Sequence, residues 1–311
     1  MTTAFDTNRL PTPRAAPAGR SKGSALTRQR RRAALIFLAP MVIVLALVAG
    51  WPLARTIYFS FTDATLYDLE YHEFIGFLNF YYLAIDPQWW RAVWNTVFFA
   101  VVSVSIETIL GMVIALTLNA HMPGRGLLRA AMLIPWAIPT VVSAQMWGWM
   151  YHDLYGVINE IFLGIGLIDR PLQILNTDVA VYIGVVYSYL PFMILPLYAN
   201  LVKHDPSLLE AASDLGARNL TSFWKITVPL SKNGIIAGSM LVFIPVVGEF
   251  VIPELLGGPE TLMIGKVLWQ EFFNNRDWPV ASALAVVMLA ILLVPIILFN
   301  RNQAKALEGK L

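Results

Sequence analysis

The sequence predicts an all-α, polytopic membrane protein. Hydrophobic residues make up 57% of the 311 positions and charged residues only 14%, outside the range of ordinary soluble domains. Six stretches reach the roughly 20 apolar residues needed to cross a bilayer core. Because a backbone in lipid must satisfy its own hydrogen bonds, these stretches are expected to be helices rather than isolated strands.

Residues 1–32 are rich in Pro, Ala, Arg, Thr and Ser, and are expected to form a disordered basic tail. The first span is placed at Ala33 to Leu53. Arg28, Arg30, Arg31 and Arg32 precede it as they would a signal peptide. However, the apolar run is longer than a signal core and Ala49-Gly50-Trp51-Pro52 is a poor cleavage site, so the span is expected to be retained. Residues 33–90 are read as this span plus an external segment. That segment carries Asp63, Asp68, Glu70, Glu73 and Asp86 among aromatics such as Trp89 and Trp90. Interfacial anchoring and docking of an external protein both fit those aromatics.

Residues 91–300 hold the core, with spans at Trp94 to Leu118, Leu127 to Tyr151, Val179 to Val202, Asn233 to Leu255 and Ala281 to Asn300. Residues 301–311 are read as a second tail. Prolines 135, 139, 191, 196, 245 and 253 fall within spans and predict kinks that must be satisfied by protein or water. Gly234 and Gly238 make a GxxxG at the start of the fifth span, a signal for close helix approach in this chain or across a dimer.

Of the 22 Lys and Arg residues, only Arg55, Arg91, Arg170, Lys266 and Arg276 fall on the side opposite the tails. This asymmetry predicts cytoplasmic N- and C-termini. It also accounts for the basic balance without nucleic-acid binding. With no cysteine, the chain can form neither a disulfide nor a thiolate site. His72, His121, His152 and His204 are scattered and no metal set is expected. Gly258 and Gly265-Lys266 are too far apart for a phosphate-binding loop, and Val267 offers no hydroxyl for Mg²⁺. The chain is therefore expected to be non-catalytic and to bind no cofactor.

The loop 203–232 carries the most specific pattern. Leu209-Glu210-Ala211-Ala212-Ser213-Asp214-Leu215-Gly216 is followed, after nine intervening residues, by Ile226-Thr227-Val228-Pro229. Gly216 should end one short helix and Pro229 a second, Leu220 to Ile226. Ala211, Ala212, Leu215 and Phe223 could fit a groove on another protein, with Glu210 supplying a charge.

This loop resembles the EAA loop of ABC importer permeases, with Val228 where the family usually has Leu. The resemblance implies a six-helix permease working with ABC ATPase subunits, a second permease and an external substrate-binding protein. In that reading ATP and Mg²⁺ are used by the ATPase, and Glu210, Ala211, Ala212, Asp214, Leu215, Gly216, Ile226 and Pro229 couple the permease to it.

The substrate signal is divided. Residues 30–165, with Ser60-Phe61-Thr62, Asn95-Thr96 and Leu133-Ile134-Pro135-Trp136, resemble maltose- and trehalose-type sugar permeases. Residues from 166 onward, with Tyr187-Ser188-Tyr189-Leu190-Pro191-Phe192-Met193 and Gly248-Glu249-Phe250-Val251-Ile252-Pro253, resemble polyamine permeases. A mosaic with a boundary near 165 is one reading of that division. By position relative to the EAA loop, the resemblance implies substrate contacts at Tyr189, Phe192, Pro245, Val246 and Glu249.

A polyamine needs carboxylates or aromatic faces, which singles out Glu107, Glu249 and Glu254. Glu107 and Glu249 are each equally open to a structural role, and Glu254, five residues beyond Glu249, does not share one ideal helical face with it. Gln145, Trp147, Trp149 and Tyr151 would suit a sugar, or simply packing. Leu256-Gly257-Gly258-Pro259 and the stretch holding Glu260, Trp269, Glu271, Asp277 and Trp278 would suit binding-protein docking, an outer gate or a re-entrant scaffold. From another class, an ion-coupled secondary transporter would also be polytopic, but would need no EAA loop.

Overall fold

The structure is a computed structural model describing residues 25–65, 71–120 and 123–307. Asp68, Glu70, His121, the tail 1–24 and residues 308–311 lie outside the described residues. The chain divides into two compact units, 1–54 and 55–311.

The first unit is α1 (Ala25–Leu45), followed by a π-helical turn at Ala46–Gly50. Helix therefore begins inside the 1–32 segment expected to be disordered. For residues 25–32 this is a correction, explained by the strong helix propensity of Ala, Leu, Gln and Arg. The apolar side chains from Leu35 to Val48 are exposed in this unit, as befits a helix whose solvent is lipid.

The next helix, α2 (Trp51–Phe59), ends in a turn that Asn79 closes by donating to the carbonyls of Ser60 and Thr62 at 3.1 and 2.9 Å. After α3 (Leu78–Ile85) comes α4 (Pro87–Asn119). It starts before the expected Trp94 because Asp86 accepts from the Gln88 N–H at 2.9 Å and Pro87 fills a first-turn position.

The third expected span is not one helix. It divides into α5 (Arg125–Ala131), α6 (Ile134–Ala137) and α7 (Thr140–Met150), with a 97° bend before α7. Pro139 is the cause: the residue before a proline is driven out of the helical region, and Ile138 adopts φ −93°, ψ 133°. After α8 (Val157–Gly164), α9 (Asp178–Leu201) stays helical through both Pro191 and Pro196.

The loop beyond α9 contains α10 (Ser207–Asp214), α11 (Asn219–Ser222), a π turn and α12 (Val228–Leu230). Helix continues one residue past Pro229, where it was expected to stop; as the second residue of α12, Pro229 needs no N–H partner. The chain then bends 65° into α13 (Lys232–Gly248). The fifth expected span also breaks, at Glu249, before α14 (Val251–Leu256). After a turn, α15 (Ile264–Trp269) and a third π segment, Gln270–Asn275, lead to α16 (Trp278–Leu307).

Among the described residues, four helices are long and apolar enough to cross a membrane, or six if each bent pair counts as one span. The core forms where α4, α9 and α13 pack together, and Met193 is its wedge. A Cβ at Gly111 would lie 2.7 Å from Met193 Cγ, and one at Gly238 2.6 Å from its Sδ. The GxxxG therefore serves contact within this chain, because a Cβ at Gly234 would likewise lie 2.9 Å from Asn200 Cβ.

The α14–α15 segment doubles back as a scaffold. Gly265 sits so close to the Glu249 carbonyl that a Cβ would lie 2.7 Å from it. The Ile264 N–H donates to Thr96 Oγ1 at 2.9 Å, and Thr261 Oγ1 donates to Asp178 at 2.6 Å.

Candidate functional site

Two places gather the residues singled out by sequence, the interior around Tyr189 and the loop 203–232. In the interior, the break between α13 and α14 is built around Glu249. Its Oε1 accepts the N–H groups of Val251 and Ile252 at 2.8 and 3.2 Å, which caps α14. Pro253, in the first turn, has no N–H left to satisfy. The other carboxylate oxygen accepts a hydrogen bond from the Tyr189 hydroxyl on α9.

Glu107 lies on α4, which packs against α9. It is fully buried, and neither of its oxygens has a hydrogen-bond partner among the described residues. A carboxylate there is stable only with a proton, a cation or water to satisfy it. Phe192, half-buried, lies beside Tyr189 with ring centroids 6.1 Å apart.

Other expected path residues are placed differently. Val246 is fully buried in the core cluster with Val242, Val247 and Met263. Glu254 stands apart from Glu249: it is 46% exposed and paired with Lys266 at 3.2 Å. The helix break leaves Glu249 ahead of α14 and Glu254 within it. Pro245 is half-buried in α13. Trp147 stacks on Tyr151 at 5.3 Å and meets Tyr187 edge-on, with Tyr151 buried, so this aromatic group is largely committed to packing.

In the loop, Gly216 adopts φ +80°. Its N–H donates to Ser213 O and that of Ala217 to Ala212 O, both at 2.9 Å, which closes α10 in a Schellman motif that favours glycine. Leu215 is thereby left 89% exposed, and Leu220 and Trp224 further along the loop are exposed as well. Phe223 differs from expectation. It packs against the core, and its neighbour Trp224 takes the outward position. Glu210, Ala211, Asp214 and Pro229 are exposed, while Ala212 and Ile226 are half-buried. At the loop entry, Asp205 accepts from the Ser207 N–H at 3.0 Å, which lowers its pKa.

Sequence reasoning missed the partners that fix these groups. Lys266 beside Glu254, Thr96 beneath the re-entrant segment, and the Arg91–Glu260 ion pair all join residues distant in sequence. The quoted Asn95-Thr96 pair was the one local trace of them.

The profile of the family described as "Binding-protein-dependent transport system inner membrane component" matches residues 107–307. The chain belongs to that family. It is an ABC importer permease subunit, a non-catalytic, multi-pass inner-membrane component.

This permease is 34% identical over 237 residues to the spermidine/putrescine transport system permease protein PotB of Escherichia coli K12, covering 75% of this chain and 85% of that one. It is 33% identical over 279 residues to the trehalose/maltose transport system permease protein MalF of Thermococcus litoralis, covering 87% and 93%. Both matches are too long to lie on one side of residue 165, so the two resemblances overlap along the permease. In fold it is similar to a chain of a bacterial alginate ABC transporter solved with an alginate-bound periplasmic protein. The TM-score is 0.68 at 19% identity, covering 89% of this chain and 96% of that one.

Proposed function

We propose that this permease carries polyamines such as putrescine and spermidine through an ATP-driven importer. The observation that carries the reading is the hydrogen bond from the Tyr189 hydroxyl to Glu249, with Glu107 buried and unpartnered among the described residues on the adjoining α4. These elements supply one aromatic hydroxyl and two carboxylates to the interior of the bundle. A multiply charged amine is attracted there and a neutral sugar gains little. The identity to PotB supports the same cargo.

A sugar is the second reading, favoured by the MalF match. The buried packing of Tyr151 against Trp147 weighs against it, because those faces are occupied.

In this account six spans cross the membrane with both termini cytoplasmic, and a second permease completes the path. A binding protein delivers cargo to the outer face. ATP and Mg²⁺ act on partner ATPase subunits, and the loop from Glu210 to Pro229 is the coupling element that docks into them. The exposed Leu215, Leu220 and Trp224 form an apolar tip suited to a groove. Closing the ATPase pair moves this tip, and the adjoining helices alternate access to the path.

The test is ATP-dependent uptake into vesicles holding the permease with its partners, comparing labelled putrescine and spermidine with a disaccharide panel. Polyamine uptake lost in Glu249→Gln is the expected result. Disaccharide uptake without polyamine uptake would overturn the cargo, and uptake independent of ATP would overturn the coupling.

A further inference from the structure

At the end of the bundle that carries the coupling loop, a cavity of about 510 Å³ opens between α4, α5, α9 and α10. Arg125, Arg129, Tyr198, His204 and Asp205 are among its lining residues. The Arg129 guanidinium donates to the Tyr198 hydroxyl and lies over that ring, 4.8 Å from its centroid. Its Nε is buried without a hydrogen-bond partner among the described residues.

Asp205 is the one carboxylate in the lining, and one of its oxygens already accepts from Ser207. The His204 ring is engaged with Asn200 at 3.0 Å. Two guanidinium groups thus face a cavity whose only counter-charge is partly committed, an arrangement matched to a phosphate group.

The depth of the cavity indicates the source of that phosphate. The apolar spans α4 and α9 end at Asn119 and Leu201, both in its wall. On α5, between Arg125 and Arg129, Leu127 and Leu128 are exposed and apolar. Phosphate-binding groups at the end of a span, beside an uncovered apolar surface, reproduce the division of a phospholipid into headgroup and chains.

We propose that this cavity binds the phosphate headgroup of an anionic phospholipid, with its acyl chains along the exposed face of α5. Leu209 of α10 and Asp205 form part of the wall, so the bound lipid braces the entry to the coupling loop. The leaflet follows from the orientation proposed above; the binding itself does not depend on cargo.

The test is native mass spectrometry of the whole transporter, released from nanodiscs containing phosphatidylglycerol and phosphatidylcholine. Wild type is expected to retain phosphatidylglycerol selectively. Retention should fall by about ten-fold or more in Arg125→Gln with Arg129→Gln, the scale set by two basic contacts. Should the double variant fail to assemble, Arg125→Gln alone decides, since it leaves the Arg129–Tyr198 contact intact; the expected loss is then several-fold. Unchanged retention, or equal retention of phosphatidylcholine, would overturn the site. Displacement of the lipid by millimolar inorganic phosphate would assign the cavity to a soluble anion and overturn the lipid. Because retention is read without transport, a wrong cargo assignment leaves this result standing.

Discussion

Replacing Glu249 separates its structural work from its charge. The carboxylate accepts two backbone N–H groups and the Tyr189 hydroxyl. Glu249→Ala removes the cap of α14, worth about 1 kcal/mol. It also leaves a tyrosine hydroxyl unpaired in the interior, at about 1–3 kcal/mol. The expected loss is about 2–4 kcal/mol, read as a lowered melting temperature of the purified transporter. Glu249→Gln keeps a carbonyl oxygen for the two N–H groups and an amide that can donate to Tyr189, so its loss should stay below about 1 kcal/mol. Polyamine uptake should nevertheless fall at least ten-fold in both variants, because the charge is gone. Equal destabilisation by Gln and Ala would refute the cap geometry, and full uptake by a well-folded Gln variant would refute the cationic role.

Gly216→Ala should cost the loop about 1 kcal/mol, because φ +80° is left-handed. The measurable result is faster hydrogen exchange across 207–217 and fewer molecules transported per ATP. Gly238→Val should destabilise the bundle by about 1–3 kcal/mol, since its Cβ would lie 2.6 Å from Met193 Sδ; pairing it with Met193→Ala should recover part of the loss in a melting assay. Glu254→Gln leaves Lys266, only 12% exposed, without its carboxylate and should destabilise by about 1–3 kcal/mol in a melting assay, while uptake by the folded fraction stays close to wild type. The folded-state pKa of Asp205 is lowered by the Ser207 N–H. Its contribution is thus present above the unfolded aspartate pKa and lost as pH falls through the folded value. Acidification should therefore loosen the start of α10, measured by exchange, and Asp205→Asn should abolish that pH response.

The apolar spans and the short helices of the 203–232 loop were legible because their signals are local. A run of lipid-compatible residues needs no distant partner to be recognised, and Gly216 announces the end of α10 wherever the helix lies. The breaks were only half legible. Pro139 marked a kink, but its 97° size depends on how α5–α6 and α7 are packed. Glu249 was visible as a candidate, whereas its capping role required the chain to turn back on itself after Gly248. Val246 illustrates the same limit. Its burial comes from the packing of α9 and α13, which no local pattern announces. The Tyr189–Glu249 bond spans 60 residues and leaves no trace in either local sequence.

The central claim, that the 207–216 turn is the contact with an ATPase partner, can be tested directly because the chain has no native cysteine. A Leu215→Cys permease, assembled with its partners, would be treated with a short thiol-to-amine cross-linker with and without ATP, using Leu154→Cys, in the segment between α7 and α8, as an exposed control outside the spans. A Leu215 cross-link to the ATPase subunit whose yield changes with ATP is predicted, and none from Leu154. Equal yields from the two positions, or no ATPase product from Leu215 in a transport-active complex, would contradict it.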